Sequence, residues 1–199
     1  MTHCDKLPKI ETHPLSPFIP PMAQVLLLGS FPPPKQRWQM PFYYPNINND
    51  MWRIMGQVFF DNALYFIDNK RYNEPRLRKF LVQTGIAISD SAYQVRRSQG
   101  NAADQLLQII KRRNIKKLLQ TMPACHSIIT TGELATQLTL ASLNVHAPLP
   151  KVGARLECAI ATRKITLYRL PSSSRAYSLA LDKKAEYYKE AFKDMGLLD

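Results

Sequence analysis

The sequence of 199 residues has only three cysteines, Cys4, Cys125 and Cys158, which are widely spaced and form no Cys-x-x-Cys pair. Their odd number and spacing indicate neither a disulfide framework nor a zinc site. The four histidines show no metal-ligand spacing with one another or with the cysteines. We therefore expect no metal and no cofactor, and a location in the reducing cytoplasm, near the nucleoid if the source is bacterial.

Long apolar runs are also absent. The longest near the start, residues 22–28, is far too short to span a bilayer, and the proline-rich segment before it lacks the features of a signal peptide. These absences predict a protein with no membrane role, which we expect to be a monomer.

Acidic residues are scarce, at 15 Asp and Glu against 27 Lys and Arg, which gives a formal net charge of +12. Such an excess favours a polyanionic partner, and nucleic acid is the first expectation. A basic surface that serves only solubility is the alternative.

The order of the chain predicts an arm and one domain. Five prolines fall within residues 1–23, too many for regular structure, so this segment is predicted to be a loosely packed arm before a domain at residues 24–199. Short apolar runs typical of strands in a parallel sheet occupy residues 25–28, 86–88, 127–130 and 165–170. Helical spacing occupies residues 52–59, 76–82, 102–110, 115–122, 134–143 and 183–195. This alternation predicts an α/β fold, a single-domain three-layer sandwich whose central, mostly parallel four-stranded sheet has helices on both faces.

Two loops that follow predicted strands carry the most informative residues. Residues 29–34 read Gly-Ser-Phe-Pro-Pro-Pro after the first strand, and residues 170–175 read Leu-Pro-Ser-Ser-Ser-Arg after the last. Because ligands of open α/β sheets bind outside the carboxyl ends of the strands, both loops are expected to rim one crevice.

These segments carry a family resemblance. Residues 25–32, together with the block Tyr-Tyr-Pro-Asn-Ile-Asn-Asn-Asp-Met-Trp at 43–52, resemble motif 1 of the uracil-DNA glycosylase superfamily. They are most similar to its hypoxanthine/uracil branch, which carries Gly-Ser-Phe-Pro-Gly and Tyr-Tyr-x-x-Pro-x-Asn-x-Phe-Trp. Residues 170–176 resemble motif 2, Leu-Pro-Ser-Thr-Ser-Pro-Ala. Blocks at 85–90 and 96–98 resemble Gly-Ile-Ala-Leu-Trp-Asp and Arg-Glu-Gly-Ser, and order and spacing match across about residues 24–180. The chain departs from the pattern at Pro33, Ile47 and Arg175.

The resemblance implies a monofunctional DNA glycosylase that hydrolyses the N-glycosidic bond of a flipped uracil or hypoxanthine in base excision repair. Leu170 stands where the founding enzymes have a catalytic His, which implies weaker stabilisation of the leaving base. Neither motif offers a Schiff-base Lys, so the expected product is an abasic site rather than a nicked strand.

The resemblance implies that Asn49 positions the attacking water, since it precedes Trp52 by three residues as the family's catalytic Asn does. Asn46 and Asn48 compete for this role, and capping of the helix that opens at Asp50 is the structural alternative.

The base is expected to contact the backbone and hydroxyl of Gly29 and Ser30 and to stack on an aromatic ring. Phe31, Phe42, Tyr43 and Tyr44 are candidates for stacking, with Tyr44 preferred. A strand-exit turn and core packing are the structural alternatives.

Several polar residues are predicted to contact DNA. Hydroxyls of Ser172, Ser173 and Ser174 suit phosphates, Arg175 suits the minor groove, and Arg96 and Arg97 suit phosphate contacts. An ordinary solvated turn is the structural alternative for the serine loop. The basic run at 111–117 is predicted to be a solvated helix face with a secondary role in DNA contact.

Two other classes of function remain to be weighed. A nucleic-acid-binding module without chemistry fits the basic charge and the departures at Pro33 and Ile47. A serine hydrolase that uses Ser172 is disfavoured, because the chain has no Gly-x-Ser-x-Gly elbow and no His after Ser172.

Overall fold

The structure, a computed structural model, describes residues 8–98 and 104–199. The strands of this part are β1 (Ile10–Thr12), β2 (Val25–Gly29), β3 (Ile67–Asp68), β4 (Arg71–Tyr72), β5 (Ile86–Asp90), β6 (Ala92–Arg97), β7 (Leu107–Arg112), β8 (Ser127–Thr131), β9 (Arg155–Ile160) and β10 (Arg163–Leu170). Its α-helices are α1 (Met51–Phe60), α2 (Glu74–Thr84), α3 (Ile115–Gln120), α4 (Glu133–Leu143) and α5 (Leu181–Asp194).

A five-stranded sheet in the order β5-β2-β8-β10-β9 forms the centre. The first four of these strands run parallel, and successive side chains of β2 point to opposite faces. Val25 and Leu27 join the apolar cluster made with α1, α2 and α5, while Leu26 and Leu28 join the cluster made with α3 and α4. The three-layer α/β arrangement and the four predicted parallel strands are therefore present.

The prediction of four strands missed β9, which pairs antiparallel with β10 at the edge of the sheet. Its sequence, Arg-Leu-Glu-Cys-Ala-Ile, alternates between solvent and core, whereas the prediction relied on continuous apolar runs. Alternation is typical of an antiparallel strand with one wet face. The sheet therefore has five strands, of which four are parallel.

The helix predicted at residues 102–110 is wrong where the structure describes it, from residue 104 onward; residues 102 and 103 lie outside the described part. A short 3-10 turn at Asp104–Leu106 leads into strand β7. Leu107 and Ile109 face inward and β7 pairs with β6. The inward-facing residues therefore recur at every second position, as in a strand. The basic residues Lys111 and Arg112 consequently lie on a strand rather than a helix.

The N-terminal arm also contains regular structure. Pro8 and Pro14 bracket a short proline-free stretch in which β1 pairs antiparallel with β6, to give a second sheet in the order β1-β6-β7. His13, directly after β1, is buried at 6% exposure. The expectation of a loosely packed arm is therefore wrong for residues 10–13, and residues 1–7 lie outside the described part.

Within residues 8–98 and 104–199, no helix combines the length and apolar character that a membrane crossing needs.

Candidate active site

The carboxyl ends of four parallel strands meet at one edge of the central sheet. β2 ends at Gly29, β5 at Asp90, β8 at Thr131 and β10 at Leu170, with Gly29 paired to Asp90 and Leu170 paired to Thr131. This edge, called the strand-end site below, lies where open α/β sheets bind their ligands.

The two loops that resemble the family motifs come together at this edge. The Asp50 backbone N–H donates to the Ser173 carbonyl at 2.9 Å, and Asn49 pairs with Ser174 in an isolated antiparallel bridge. Backbone hydrogen bonds therefore fix the segment around Asn49 against the serine loop.

Gly29 lies where no side chain fits. A methyl group placed on its Cα would lie 2.3 Å from Asp90 Oδ1 and 2.9 Å from Tyr44 Oη, far inside contact distance. The Gly29 carbonyl accepts hydrogen bonds from both the backbone N–H and the hydroxyl of Ser91. The glycine thus lets a carboxylate and a phenol approach the end of β2 closely.

Tyr44 spans the strand-end site from β2 to β8. Its hydroxyl lies 3.1 Å from Thr131 Oγ1, and its backbone has a φ of +48°, in the left-handed region that few non-glycine residues adopt. Burial, reinforced by the negative charge of Asp90, raises the pKa of the Tyr44 phenol well above its usual range. Tyr44 is therefore a neutral hydrogen-bonding group at physiological pH.

Asp90 is a site residue to which the sequence pattern assigned no role, although it lies in a block that resembles the family. Asp90 is 5% exposed, and its Oδ2 lies 2.8 Å from Nε2 of the buried His13. The arm therefore supplies a partner for the carboxylate from 77 positions away in the chain. The signal available in the sequence was a lone acidic residue at the end of an apolar strand.

Ser30 is held by a second acidic residue. Its hydroxyl donates to Asp104 Oδ1 at 2.6 Å. Burial raises the pKa of the Asp104 carboxyl, and the hydrogen bond from Ser30 acts in the opposite direction.

Phe31 packs its ring edge-on against His13 at 5.2 Å between centroids, with the Arg97 guanidinium over its face. The Phe31 ring therefore packs against two side chains of the protein, His13 and Arg97.

Asn49 and Asn46 both use their side-chain oxygens in local turns. Asn49 Oδ1 accepts from the backbone N–H of Met51, the first residue of α1, at 2.9 Å, while the N-cap position itself is held by Asp50, whose side chain makes no capping bond. Asn46 Oδ1 accepts from the Asn48 N–H at 2.9 Å. A carbonyl oxygen has two lone pairs, so Asn49 retains capacity for a second donor. Asn48 itself is exposed.

The serine loop holds its own shape through side-chain to backbone hydrogen bonds. Ser172 Oγ accepts from the Ser174 N–H, and Ser174 Oγ accepts from the Ala176 N–H, each at 3.2 Å. Ser173 is buried, while Ser172 and Ser174 are partly exposed and Arg175 is exposed. Ser172 and Ser174 are therefore partly accessible beside the exposed Arg175, and the buried Ser173 offers its carbonyl to Asp50.

A cavity of about 330 Å³ lies elsewhere, between α3, α4 and the β9–β10 hairpin. A second, of about 230 Å³, lies between α1 and α5. Neither is lined by a residue of the strand-end site, where Tyr44 covers Gly29. We place the candidate site at the strand ends because the polar groups converge there, and because the walls of the larger cavity are mostly apolar. No group of three or more His, Cys, Asp or Glu residues in the described part is arranged to hold a metal ion.

The fold has a counterpart among solved structures. It is similar to the solution NMR structure of a protein from Methanosarcina acetivorans that is described as a candidate uracil DNA glycosylase, with a TM-score of 0.64 and 18% sequence identity. The likeness covers 94% of this chain and 99% of that chain. It is a likeness of fold. No protein-family model matches the chain, and no curated protein matches it.

The two arginines predicted to contact phosphate differ in their surroundings. Arg96 is partly exposed and donates to the Pro8 carbonyl and to Gln108. The side chain of Arg97 is only 4% exposed, and it donates to the Glu11 carboxylate and the Pro32 carbonyl. Arg97 thus ties β1 to the loop after β2, inside the protein, and we do not retain it as a DNA contact.

Replacement of Arg97 by Met tests this structural role. We expect the free energy of unfolding to fall by about 2 kcal/mol, because buried hydrogen bonds of a charged group are lost. The salt dependence of DNA binding should stay as in the wild type, since this guanidinium does not face solvent. Chemical denaturation and binding titrations at several salt concentrations measure both quantities, and a reduced salt slope would restore Arg97 as a DNA contact.

Proposed function

We propose that this chain is a monofunctional DNA glycosylase that hydrolyses the N-glycosidic bond of an extruded uracil or hypoxanthine. The observation that carries the proposal is the convergence, at one sheet edge, of Asn49, the Gly29–Asp90–Tyr44 cluster and the serine loop. The fold similarity and the net charge of +12 support DNA as the substrate. We further propose that the protein acts as a monomer in the cytoplasm.

We assign to Asn49 the role of positioning the attacking water. Its Oδ1 accepts one backbone N–H and has a lone pair left for a water hydrogen. A neutral amide suffices because the sugar becomes strongly cationic as the base departs, so orientation of the water matters more than its deprotonation. Asn46 is the alternative in the same turn.

Asp90 is assigned recognition of the base edge. Uracil and hypoxanthine present a ring N–H beside a carbonyl, whereas cytosine and adenine present a ring nitrogen acceptor at the same place. A carboxylate oxygen of Asp90 opposite the ring nitrogen accepts the N–H of a deaminated base, whereas at that atom it faces a lone pair on cytosine or adenine. Gly29 allows the close approach, and Tyr44 supplies an aromatic face for stacking.

The serine loop and Arg175 are assigned to the DNA backbone around the extruded nucleotide. Short hydroxyls of Ser172 and Ser174 donate to phosphates without bulk, and Arg96 lies on the neighbouring small sheet. Leu170, an apolar residue at the end of β10, gives the leaving base no proton, so we expect a modest rate.

The test is excision from end-labelled oligonucleotides that carry a single uracil, hypoxanthine or xanthine, as single strands and as duplexes, followed by alkaline cleavage of abasic sites. Bands from one or more substrates support the glycosylase. A second candidate, a binding module of the same fold without chemistry, is favoured by the engaged Asn49 oxygen and by Tyr44 over Gly29. Retarded DNA without a band on any substrate would establish that candidate.

Excision is expected to persist in EDTA at a rate within experimental error of the untreated enzyme, because an amide-oriented water needs no metal. The measurement compares initial rates before and after exhaustive chelation, with a zinc-dependent nuclease as the positive control for chelation. Loss of activity that added metal restores would contradict this prediction.

A further inference from the structure

Asp50, the residue after Asn49, carries a different cation on each carboxylate oxygen. Arg175 Nε donates to Oδ1 at 2.9 Å, and Lys184 Nζ donates to Oδ2 at 3.1 Å. Asp50 is 7% exposed, so removal of both cations would leave a poorly solvated charge without a partner, which is strongly unfavourable. Because each oxygen has its own cation, one cation can leave while the other stays.

The two cations differ in their access to solvent. The Lys184 side chain is 1% exposed within α5, whereas the Arg175 side chain is 49% exposed on the serine loop. Lys184 also donates to the Ser174 carbonyl at 2.9 Å, which fastens α5 to that loop. Lys184 is therefore fixed in place, and Arg175 is the cation that can change partner.

We propose that Arg175 exchanges Asp50 for a DNA phosphate when DNA binds, and that Lys184 permits this exchange by keeping Asp50 neutralised. The inference rests on the proposed function, since it requires DNA as the bound polyanion. A guanidinium matches phosphate with two parallel N–H···O bonds, so phosphate is a competent replacement for the carboxylate.

Lys184 is accordingly a positioning residue. It holds Asp50 and the Ser174 carbonyl in place while the Arg175 guanidinium moves to its new partner. The backbone bond from Asp50 to Ser173 then remains, and Asn49 stays in register with the serine loop.

The test measures binding of an unmodified duplex by fluorescence anisotropy at several salt concentrations. Arg175→Ala should lower the affinity about tenfold and reduce the slope of log affinity against log salt by about one. Lys184→Met should produce the same two changes, because Arg175 must then remain on Asp50. The double variant should bind no more weakly than either single variant. Additive losses would overturn the inference.

A rescue variant separates this effect from damage to the fold. Asp50→Asn combined with Lys184→Met leaves no charge to neutralise, so Arg175 is released and affinity should return to the wild-type value. Removal of Arg175 in that background should again lower affinity about tenfold, which completes the test even where Lys184→Met alone fails to fold. A folded rescue variant that still binds weakly would overturn the inference.

Lys183→Met is the matched control, because it removes the same charge from the adjacent, exposed position, where Lys183 pairs with Glu186. Its affinity should stay close to that of the wild type. A wild-type protein that binds no DNA would overturn both this inference and the proposed function. Normal excision combined with additive effects of the Arg175 and Lys184 changes would overturn the inference alone.

Discussion

Replacement of Asn49 by Ala is expected to lower the excision rate by about 10³-fold, which corresponds to about 4 kcal/mol of transition-state stabilisation. The loss is a part of the roughly 7–11 kcal/mol that orientation of reactants can supply. The measurement is single-turnover excision from the oligonucleotide that the wild type cleaves best. DNA affinity, measured separately, should remain near that of the wild type, because Asn49 is only partly exposed and makes backbone contacts.

Asn49 Oδ1 also accepts the backbone N–H of Met51 at the start of α1, so the free energy of unfolding of the Ala variant is expected to be about 1 kcal/mol lower. Asn49→Ser is the matched control for this structural effect, because serine is also a capping residue but has no amide to orient the water. The Ser variant should be as stable as the wild type and as inactive as the Ala variant. Asn46→Ala should retain most of the activity. The opposite ranking of Asn46 and Asn49 would assign the water to Asn46.

The central sheet could be predicted from the sequence because its parallel strands are buried on both faces. A continuous apolar run such as residues 25–28, with glycine directly after it, is typical of a strand of this kind. Strand β9 was not predicted because one of its faces is exposed to solvent, so its residues alternate between polar and apolar instead of forming a continuous apolar run. Residues 107–110, part of the helix predicted at 102–110, belong to strand β7 instead, because Leu106, Leu107, Ile109 and Ile110 fit a helical spacing as well as a strand and only the pairing with β6 distinguishes the two.

The candidate site could be predicted only where the chemistry lies in contiguous residues. The turn after β2 and the serine loop each form a short block, so the sequence displays them directly. Asp90 with His13, and Asp50 with Lys184, are contacts across 77 and 134 positions. A single sequence does not show which distant residues come into contact. In addition, an isolated Lys on an amphipathic helix is usually solvated, so Lys184 does not stand out. The tertiary structure alone brings these pairs together.

Replacement of Gly29 by Ala is expected to have the second-largest effect. The new methyl group would lie 2.3 Å from Asp90 Oδ1 and 2.9 Å from Tyr44 Oη, so both groups must move. Overpacking of this kind costs about 1–3 kcal/mol of stability. Displacement of the carboxylate that we assign to the base edge should lower excision by about 100-fold, since errors near 1 Å in placement have effects of that size.

Gly196→Ala provides the comparison that isolates the steric effect at Gly29. Gly196 has a φ of +72° and nothing within 4 Å of an added methyl group, so its replacement strains the backbone without touching a neighbour. It should lower stability by about 1 kcal/mol and leave excision unchanged. Gly29→Ala should therefore lose far more activity than its loss of stability explains, as excision rates and denaturant midpoints for the two variants will show. Equal activity of the two variants would mean that the end of β2 does not approach the substrate, and the base would have to bind away from Asp90.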